Sequence, residues 1–329
     1  HDWNERIAAE CYHPNARSRR LDGYGRILRL VNNYEHISFN FGPTLLEWIE
    51  KRHPVLHGQI VEADARSDGR RGHGNAIAQV YNHIIMPLAS VRDQETQIRW
   101  GVHDFRRRFA RDPAGIWLAE TAINEVTLDL LIDFGFRFII LSPFQADRIK
   151  ATGGDGEWLD VSAGNIMTGM PYRCFGSRRK RSRKKSIELF FYDAKLSTDV
   201  SFNHLCRNGD SLADAILAAY ERTGGDLVTI ATDGEIYGHH EPFADMALAY
   251  LIDGAAEKRG IELTNFPAYL DSHPEPAFEV QIKQGRAGEG TAWSCPHGVG
   301  RWMEDCGCST GAPPGWNQKW RSPLRRGER

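Results

Sequence analysis

No stretch of this sequence approaches the ~18 to 20 consecutive apolar residues that a membrane-spanning helix requires. The N-terminus also lacks the charged, apolar and small-residue succession of a secretory signal peptide. A cytoplasmic location is the expectation, with the qualification that the chain opens on His1 rather than Met. Charge of one sign is not in excess, because 41 Lys and Arg stand against 43 Asp and Glu for a formal net charge of −2. The one basic tract, Ser177 to Ser186, holds seven Lys or Arg and no acid. The remaining surface is therefore acidic, general nucleic-acid binding is not implied, and the tract reads as a solvated insertion. Six cysteines in 329 residues are too few for a disulfide framework, so Cys11, Cys174 and Cys206 read as reduced, partly buried thiols. No internal repeat is present. What remains is a globular chain, 41% hydrophobic and 26% charged, long enough to bury a sizeable core.

Two apolar runs end on carboxylates. Gly115-Ile116-Trp117-Leu118-Ala119 leads into Glu120, and Leu227-Val228-Thr229-Ile230-Ala231-Thr232 leads into Asp233-Gly234-Glu235. Strands buried on both faces read as continuous apolar runs, and in βα barrels the residues just past their C-terminal ends line the active site. Two such carboxylates suggest glycosidic chemistry, although helix capping explains either one alone. Trp117 lies three residues before Glu120, on the other strand face. It either borders a sugar site or packs into the core.

Along the chain, six βα-type units in regular succession argue for a barrel rather than a sandwich. Helical composition covers Trp3 to Tyr12, closed by Pro14, and alternation over Tyr34–Phe41 predicts a strand before Gly42-Pro43. Further helices are predicted from Thr44 to Arg52, Met86 to Phe109, Asn124 to Phe134, Ser211 to Arg222 and Pro242 to Arg259. Strands are predicted over Asn75–Tyr81, Phe136–Leu141 and Ile187–Tyr192, and polar loops over Asp64–Gly74 and Ala151–Arg173. His83 falls where a βα loop would face the site, and is either a site residue or a capping one. Asp193 ends a strand and reads as a helix cap. His53 and His57 stand four apart, but Pro54 starts a new helix between them, so solvated histidines are expected rather than a metal pair.

From Pro267 the character changes: Trp293, Trp302, Trp316 and Trp320 accompany Cys295, His297, Cys306 and Cys308. The ligand types suit zinc, whereas the C-x-H and C-x-C spacing is not that of the usual finger or ribbon. Reduced core thiols are the plainer reading, with metal binding and a redox pair as alternatives. The tryptophans either stack on sugar rings or pack into a helical region.

The phrases Trp117-Leu118-Ala119-Glu120, Thr232-Asp233-Gly234-Glu235 and Gly238-His239-His240 resemble those of glycoside hydrolase family 57. His1-Asp2-Trp3-Asn4-Glu5-Arg6, Asn40-Phe41-Gly42-Pro43, Tyr81-Asn82-His83 and Trp293-Ser294-Cys295 are similar to a subgroup carrying a downstream domain of unknown function. The resemblance spans nearly the whole chain. It implies an α/β fold, an incomplete (β/α)7 TIM-like barrel, over residues 1–266, with 267–329 beginning a helical region. It also implies action on α-glucans with retention of configuration, no cofactor and no obligatory metal. By that resemblance Glu120 is the nucleophile and Asp233 the general acid/base, while His83, Trp117, Glu235, His239 and Trp293 bind substrate. Retention requires the two carboxyl groups ~5 to 5.5 Å apart, and at that separation the charge of Glu120 raises the pKa of Asp233.

Two features depart from the family pattern. Its first strand ends in a His-rich Gln-Pro motif, and no such strand precedes Trp3; Tyr12-His13-Pro14 is the nearest imitation but follows a helical stretch. The basic insertion before the Asp193 strand is the second. A fragment or shortened version is therefore the expectation. A catalytically silent glucan-binding protein and a metal-dependent polysaccharide deacetylase are the competing readings.

Overall fold

The computed structural model describes residues 2–154, 156–177, 185–308 and 313–327, so most of the basic tract, Arg178 to Lys184, lies outside the described residues. The chain opens on a helix from Trp3 to Ala16, started by Asp2, whose Oδ1 accepts from Asn4 N at 3.0 Å. Pro14 does not close it. A wide π turn over Ala8–Tyr12 places Pro14 at the start of a fresh α turn, His13–Ala16, where a missing N–H costs little. A hairpin follows, β1 (Ser18–Leu21) against β2 (Ile27–Val31), and then the chain enters the body of the molecule.

Parallel pairings step across that body in chain order. Phe39 bridges Ala76, β3 (Ala78–Gln79) pairs with β4 (Ile116–Trp117), and Gly115 bridges Phe138. Next, β5 (Phe138–Leu141) pairs with β9 (Ser186–Phe191) over four residues, and Asp193 N donates to Thr229 O at 2.8 Å. Beyond β9 the sheet changes character, as β6 (Ala146–Ala151), β7 (Leu159–Asp160), β8 (Tyr172–Phe175) and β10 (Phe278–Ile282) complete the order β5-β9-β8-β10-β6-β7. The fold is thus α/β, with a central sheet and surrounding helices. Among the described residues the strands do not close into a barrel.

Several local expectations are corrected, each by a tertiary contact. The alternation over Tyr34–Phe41 yields one bridge and a 3-10 turn at Asn33–Glu35, because Tyr34, Phe39 and Phe41 pack edge to face with centroids 5.2 to 5.8 Å apart instead of laddering. The polar stretch Asp64–Gly74 is largely helix, since Pro54–Arg71 is continuous. Its acid faces inward, where Asp64 takes Arg111 at 2.8 and 2.9 Å and the N–H of Ala76 at 2.6 Å. Leu227–Ala231 forms no assigned strand, although Leu227 and Ala231 pack on one core and Val228 and Ile230 on another, as alternating strand residues do. The predicted helix Pro242–Arg259 runs over Ala244–Lys258 with a break at Asp253-Gly254. A strand, β10, appears where helix was expected, because its hydrogen bonds come from β6 and β8, far earlier in the chain. Asp193 does cap the helix Ala194–Phe202, accepting from Leu196 N at 2.6 Å. No described helix is long and apolar enough to cross a membrane.

Helix Val91–Phe109 rests directly on β3. A Cβ added at Gly101 would lie 2.1 Å from Gln79 O, so the helix lies on the strand only because residue 101 has no side chain. Gly101→Ala is expected to cost about 1–3 kcal/mol in urea unfolding through overpacking. Gly58→Ala, in a helix with open space around it, is expected to be neutral or to gain up to about 1 kcal/mol. Equal effects at the two sites would sink this account.

Candidate active site

β4 delivers Glu120 in an unusual backbone state. Glu120 and its successor Thr121 both have left-handed φ values, 58° and 51°, in a tight turn whose N–H groups at Thr121 and Ala122 donate back to Leu118 O and Ala119 O. Each such non-glycine residue costs on the order of 1–3 kcal/mol and persists only where its surroundings dictate it. Here the dictation comes from Gln145, whose side chain is buried. Its Oε1 accepts from Thr121 Oγ1 at 2.7 Å and Ser142 N at 3.0 Å, and its Nε2 donates to Thr121 O at 2.9 Å and Thr291 O at 3.1 Å. Thr291 and Ile123 exchange both backbone hydrogen bonds at 3.0 Å, which lays the C-terminal segment along the Glu120 turn.

That segment supplies the carboxylate's partners. Trp293 Nε1 and Ser294 Oγ both donate to Glu120 Oε2, at 2.9 and 2.5 Å, and Trp293 N donates to Glu120 O at 3.1 Å. An indole N–H donates only, so Oε2 is the acceptor of the Trp293 bond. No hydrogen bond from a described residue goes to Oε1. The Trp293 ring meets Trp117 at 5.3 Å and Tyr192 at 6.0 Å, both edge to face.

Asp233 stands in a different environment. Although solvent reaches it, surrounding atoms remove enough hydration to raise its carboxyl above the ordinary value; Glu235 and then Glu120 push the same way, and His240 and His83 oppose them. The structure therefore places Glu120, Glu235, His240 and His83 within electrostatic reach of Asp233. Glu235 is fixed by Tyr12, whose hydroxyl donates at 2.8 Å and is held protonated by burial and by the Glu235 charge. His83 is exposed and meets Gln79 through Nδ1 at 3.0 Å. His239 turns to the opening helix and meets Glu10 at 2.5 Å, leaving His240 of that pair to act on Asp233 together with His83.

Tyr12, Ser294, Tyr192 and His240 escape sequence reasoning. Tyr12 shares no motif with Glu235, 223 residues later, and only the fold joins them. The opening helix packs so closely here that a Cβ at Gly238, φ 139°, would lie 2.1 Å from Glu10 O. Cys11 Sγ reaches Gly234 O at 3.3 Å and Asn15 reaches Tyr237 O at 2.7 Å, so one wall of the site is this helix. Ser294 and His240 do stand in the family-like phrases Trp293-Ser294-Cys295 and Gly238-His239-His240, but neither phrase assigns them a site role.

Elsewhere, Cys295, His297, Cys306 and Cys308 gather with their ligand atoms within 4.8 Å of one another. His53 and His57 do not share a site: His53 binds Glu5 at 2.9 Å and His13 at 3.1 Å, while His57 meets Arg108 at 3.3 Å. A recess of about 790 Å³, bordered by Trp158, Glu279, Lys283 and His297, lies apart from both carboxylates.

The chain belongs to glycosyl hydrolase family 57, whose sequence profile matches residues 5–282. No curated protein matches it in sequence. Among solved structures, an exo-type maltose-forming amylase from Pyrococcus sp. ST04 is 18% identical, with 98% of this chain and 52% of that one covered at a TM-score of 0.65. A 4-alpha-glucanotransferase from Thermococcus litoralis is 16% identical, covering 92% and 39% at 0.58. A GH57-type branching enzyme from Pyrococcus horikoshii is 15% identical, covering 86% and 68% at 0.60. This chain thus spans about half the length of the amylase and less of the glucanotransferase.

Gln145→Leu removes every side-chain hydrogen bond that Gln145 makes to Thr121, Ser142 and Thr291 while preserving approximate volume. It is expected to lower unfolding free energy by about 2–4 kcal/mol, because buried polar groups lose their partners. A loss within about 0.5 kcal/mol, the usual range for a surface change, would contradict the role given to Gln145.

Proposed function

We propose that the chain carries the catalytic centre of a retaining enzyme acting on α-glucans, with Glu120 as nucleophile and Asp233 as general acid/base. The observation that carries the reading is the asymmetry between the two carboxyl groups. Glu120 is met by two donors on one oxygen, and Asp233 is pushed toward its protonated form. Environments that drive paired carboxyls apart mark acid and nucleophile assignments. The substrate class rests on family membership and on the amylase, glucanotransferase and branching activities named for structurally similar proteins. The parallel succession from Phe39 to Thr229 supports an incomplete barrel as the scaffold.

In this mechanism Glu120 Oε1 attacks the anomeric carbon while Asp233 gives its proton to the departing glycosidic oxygen. Esterification removes the Glu120 charge, so one cause of the raised Asp233 pKa disappears and Asp233 becomes a better-behaved carboxylate. It then takes a proton from water or a sugar hydroxyl as that oxygen displaces Glu120. His83, Trp117, Glu235 and Trp293 line the sugar site in this reading. His239 supports it from behind through Glu10. The deacetylase alternative is disfavoured by His53 and His57, which are engaged with separate partners.

Incubation with 5-fluoro-α-glucosyl fluoride is expected to leave a covalent glycosyl adduct on the peptide containing Glu120, and Glu120→Gln is expected to lose it together with ~10⁴-fold or more of turnover. Binding of maltooligosaccharide without turnover or adduct would instead establish the silent glucan-binding alternative.

A second test uses pH. Glu235 raises the Asp233 pKa, so Glu235→Gln is expected to lower it, and the acid form is then lost at lower pH. The alkaline limb of kcat/KM should move down in pH; an unmoved or raised limb would count against Asp233 as the acid.

A further inference from the structure

The three cysteines nearest the C-terminus converge on one histidine, whereas Cys11, Cys174 and Cys206 are buried separately in the body of the fold. Cys295 and His297 come from the end of a turn, and Cys306 and Cys308 follow the short helix Gly300–Met303 that packs beneath them. Cys295 Sγ lies 3.6 Å from Cys308 Sγ, His297 Nδ1 lies 3.3 Å from the same sulfur, and the four ligand atoms fall within 4.8 Å of one another. A tetrahedral zinc ion with Zn–S bonds of about 2.3 Å and a Zn–N bond of about 2.0 Å sets sulfurs ~3.8 Å apart and sulfur and nitrogen ~3.5 Å apart. The 3.6 and 3.3 Å spacings match a shared ion and not a disulfide, whose sulfurs sit ~2.05 Å apart, and the widest ligand pair, within 4.8 Å, closes by up to ~1 Å around the ion. The support is fitted to the cluster: a Cβ at Gly300 would lie 3.1 Å from the Cys306 Cβ and 3.3 Å from the His297 Cβ.

We propose that Cys295, His297, Cys306 and Cys308 form a structural zinc site that holds the turn presenting Trp293 and Ser294 to Glu120. Ala292 bridges Cys295, so Trp293 and Ser294 are the two residues at the tip of a turn with one end at a zinc ligand. The other end continues into Thr291, which is paired with Ile123 and bonded to Gln145. Arg301, on the helix between the two ligand pairs, reaches Ser294 Oγ at 3.5 Å. With four protein ligands the site has no open position, so the ion positions the turn and does not touch substrate. The three thiols lose their protons on binding. Metal binding is independent of the function proposed above; the effect on turnover rests on the reading of Glu120 as nucleophile.

The test begins with metal analysis of the full chain purified from zinc-supplemented medium, followed by cobalt exchange. One zinc per chain and the visible absorption of a tetrahedral cobalt thiolate are expected. Metal-free protein, or a disulfide among these cysteines in place of zinc, overturns the proposal, and this arm needs no variant to fold. Cys308→Ser is expected to lose the zinc. His297→Cys is expected to keep it, because Nδ1 faces the cluster and a cysteine sulfur extends to nearly the same point. Loss of zinc from His297→Cys alongside its retention in Cys308→Ser would overturn the ligand assignment. In Cys308→Ser with unchanged far-UV circular dichroism, kcat is expected to fall ~10²-fold, as about 1 Å of misplacement in a catalytic group produces. Unchanged kcat after zinc loss overturns the positioning role. A wild-type chain that binds zinc yet forms no glycosyl adduct sinks the catalytic reading alone.

Discussion

The turn at Glu120-Thr121 is the constraint on which the rest of this site depends. Two consecutive non-glycine residues in the left-handed region store strain that an isolated strand end would release. It is retained because Gln145 spends its whole hydrogen-bonding capacity on three segments far apart in sequence: the turn itself, the end of β5 at Ser142 and the C-terminal segment at Thr291. In the low dielectric of the interior such a node is high-stakes, since each partner left alone would be a buried, unsatisfied group. The strain aims the Glu120 side chain at Trp293 and Ser294. The geometry of Glu120 is therefore a property of the packed core.

The opposite side of the site is built by other means. Asp233 begins a short 3-10 turn, Gly234–Ile236, that is pressed against the opening helix. Backbone contact at Gly238, the Tyr12–Glu235 bond and the Glu10–His239 pair all join that helix to the segment bearing Asp233. A carboxylate beside Asp233 that is itself held in place by a buried tyrosine is an effective way to raise an acid's pKa, since the repelling charge cannot swing away. His239 and Arg6 hold Glu10 below the usual carboxylate range. The two candidate carboxyl groups thus meet structural elements from opposite ends of the chain, the C-terminal segment at Glu120 and the opening helix beside Asp233.

The sequence by itself determined the chemical vocabulary. Apolar runs ending on Glu120 and Asp233, the Trp-Ser-Cys phrase and the Cys/His set are all local in the chain, and local patterns survive any folding pathway. Helices with strong periodicity and clear caps, such as Val91–Phe109 and Glu125–Phe134, are legible for the same reason. Family membership was legible too, because it resides in short contiguous phrases. Only the tertiary structure decided what these words say to one another. Asp64 and Ser67 read as loop residues until Arg111, Asn75 and the N–H of Ala76 are brought against them. β10 reads as helix until β6 and β8 offer it hydrogen bonds, and Leu227–Ala231 reads as strand although it receives no regular ladder. Tyr12 reads as the end of a surface helix until Glu235 arrives from 223 residues away. In each case propensity and periodicity describe one segment's own preferences, whereas the outcome is set by which distant donor, acceptor or ring fills the space beside it.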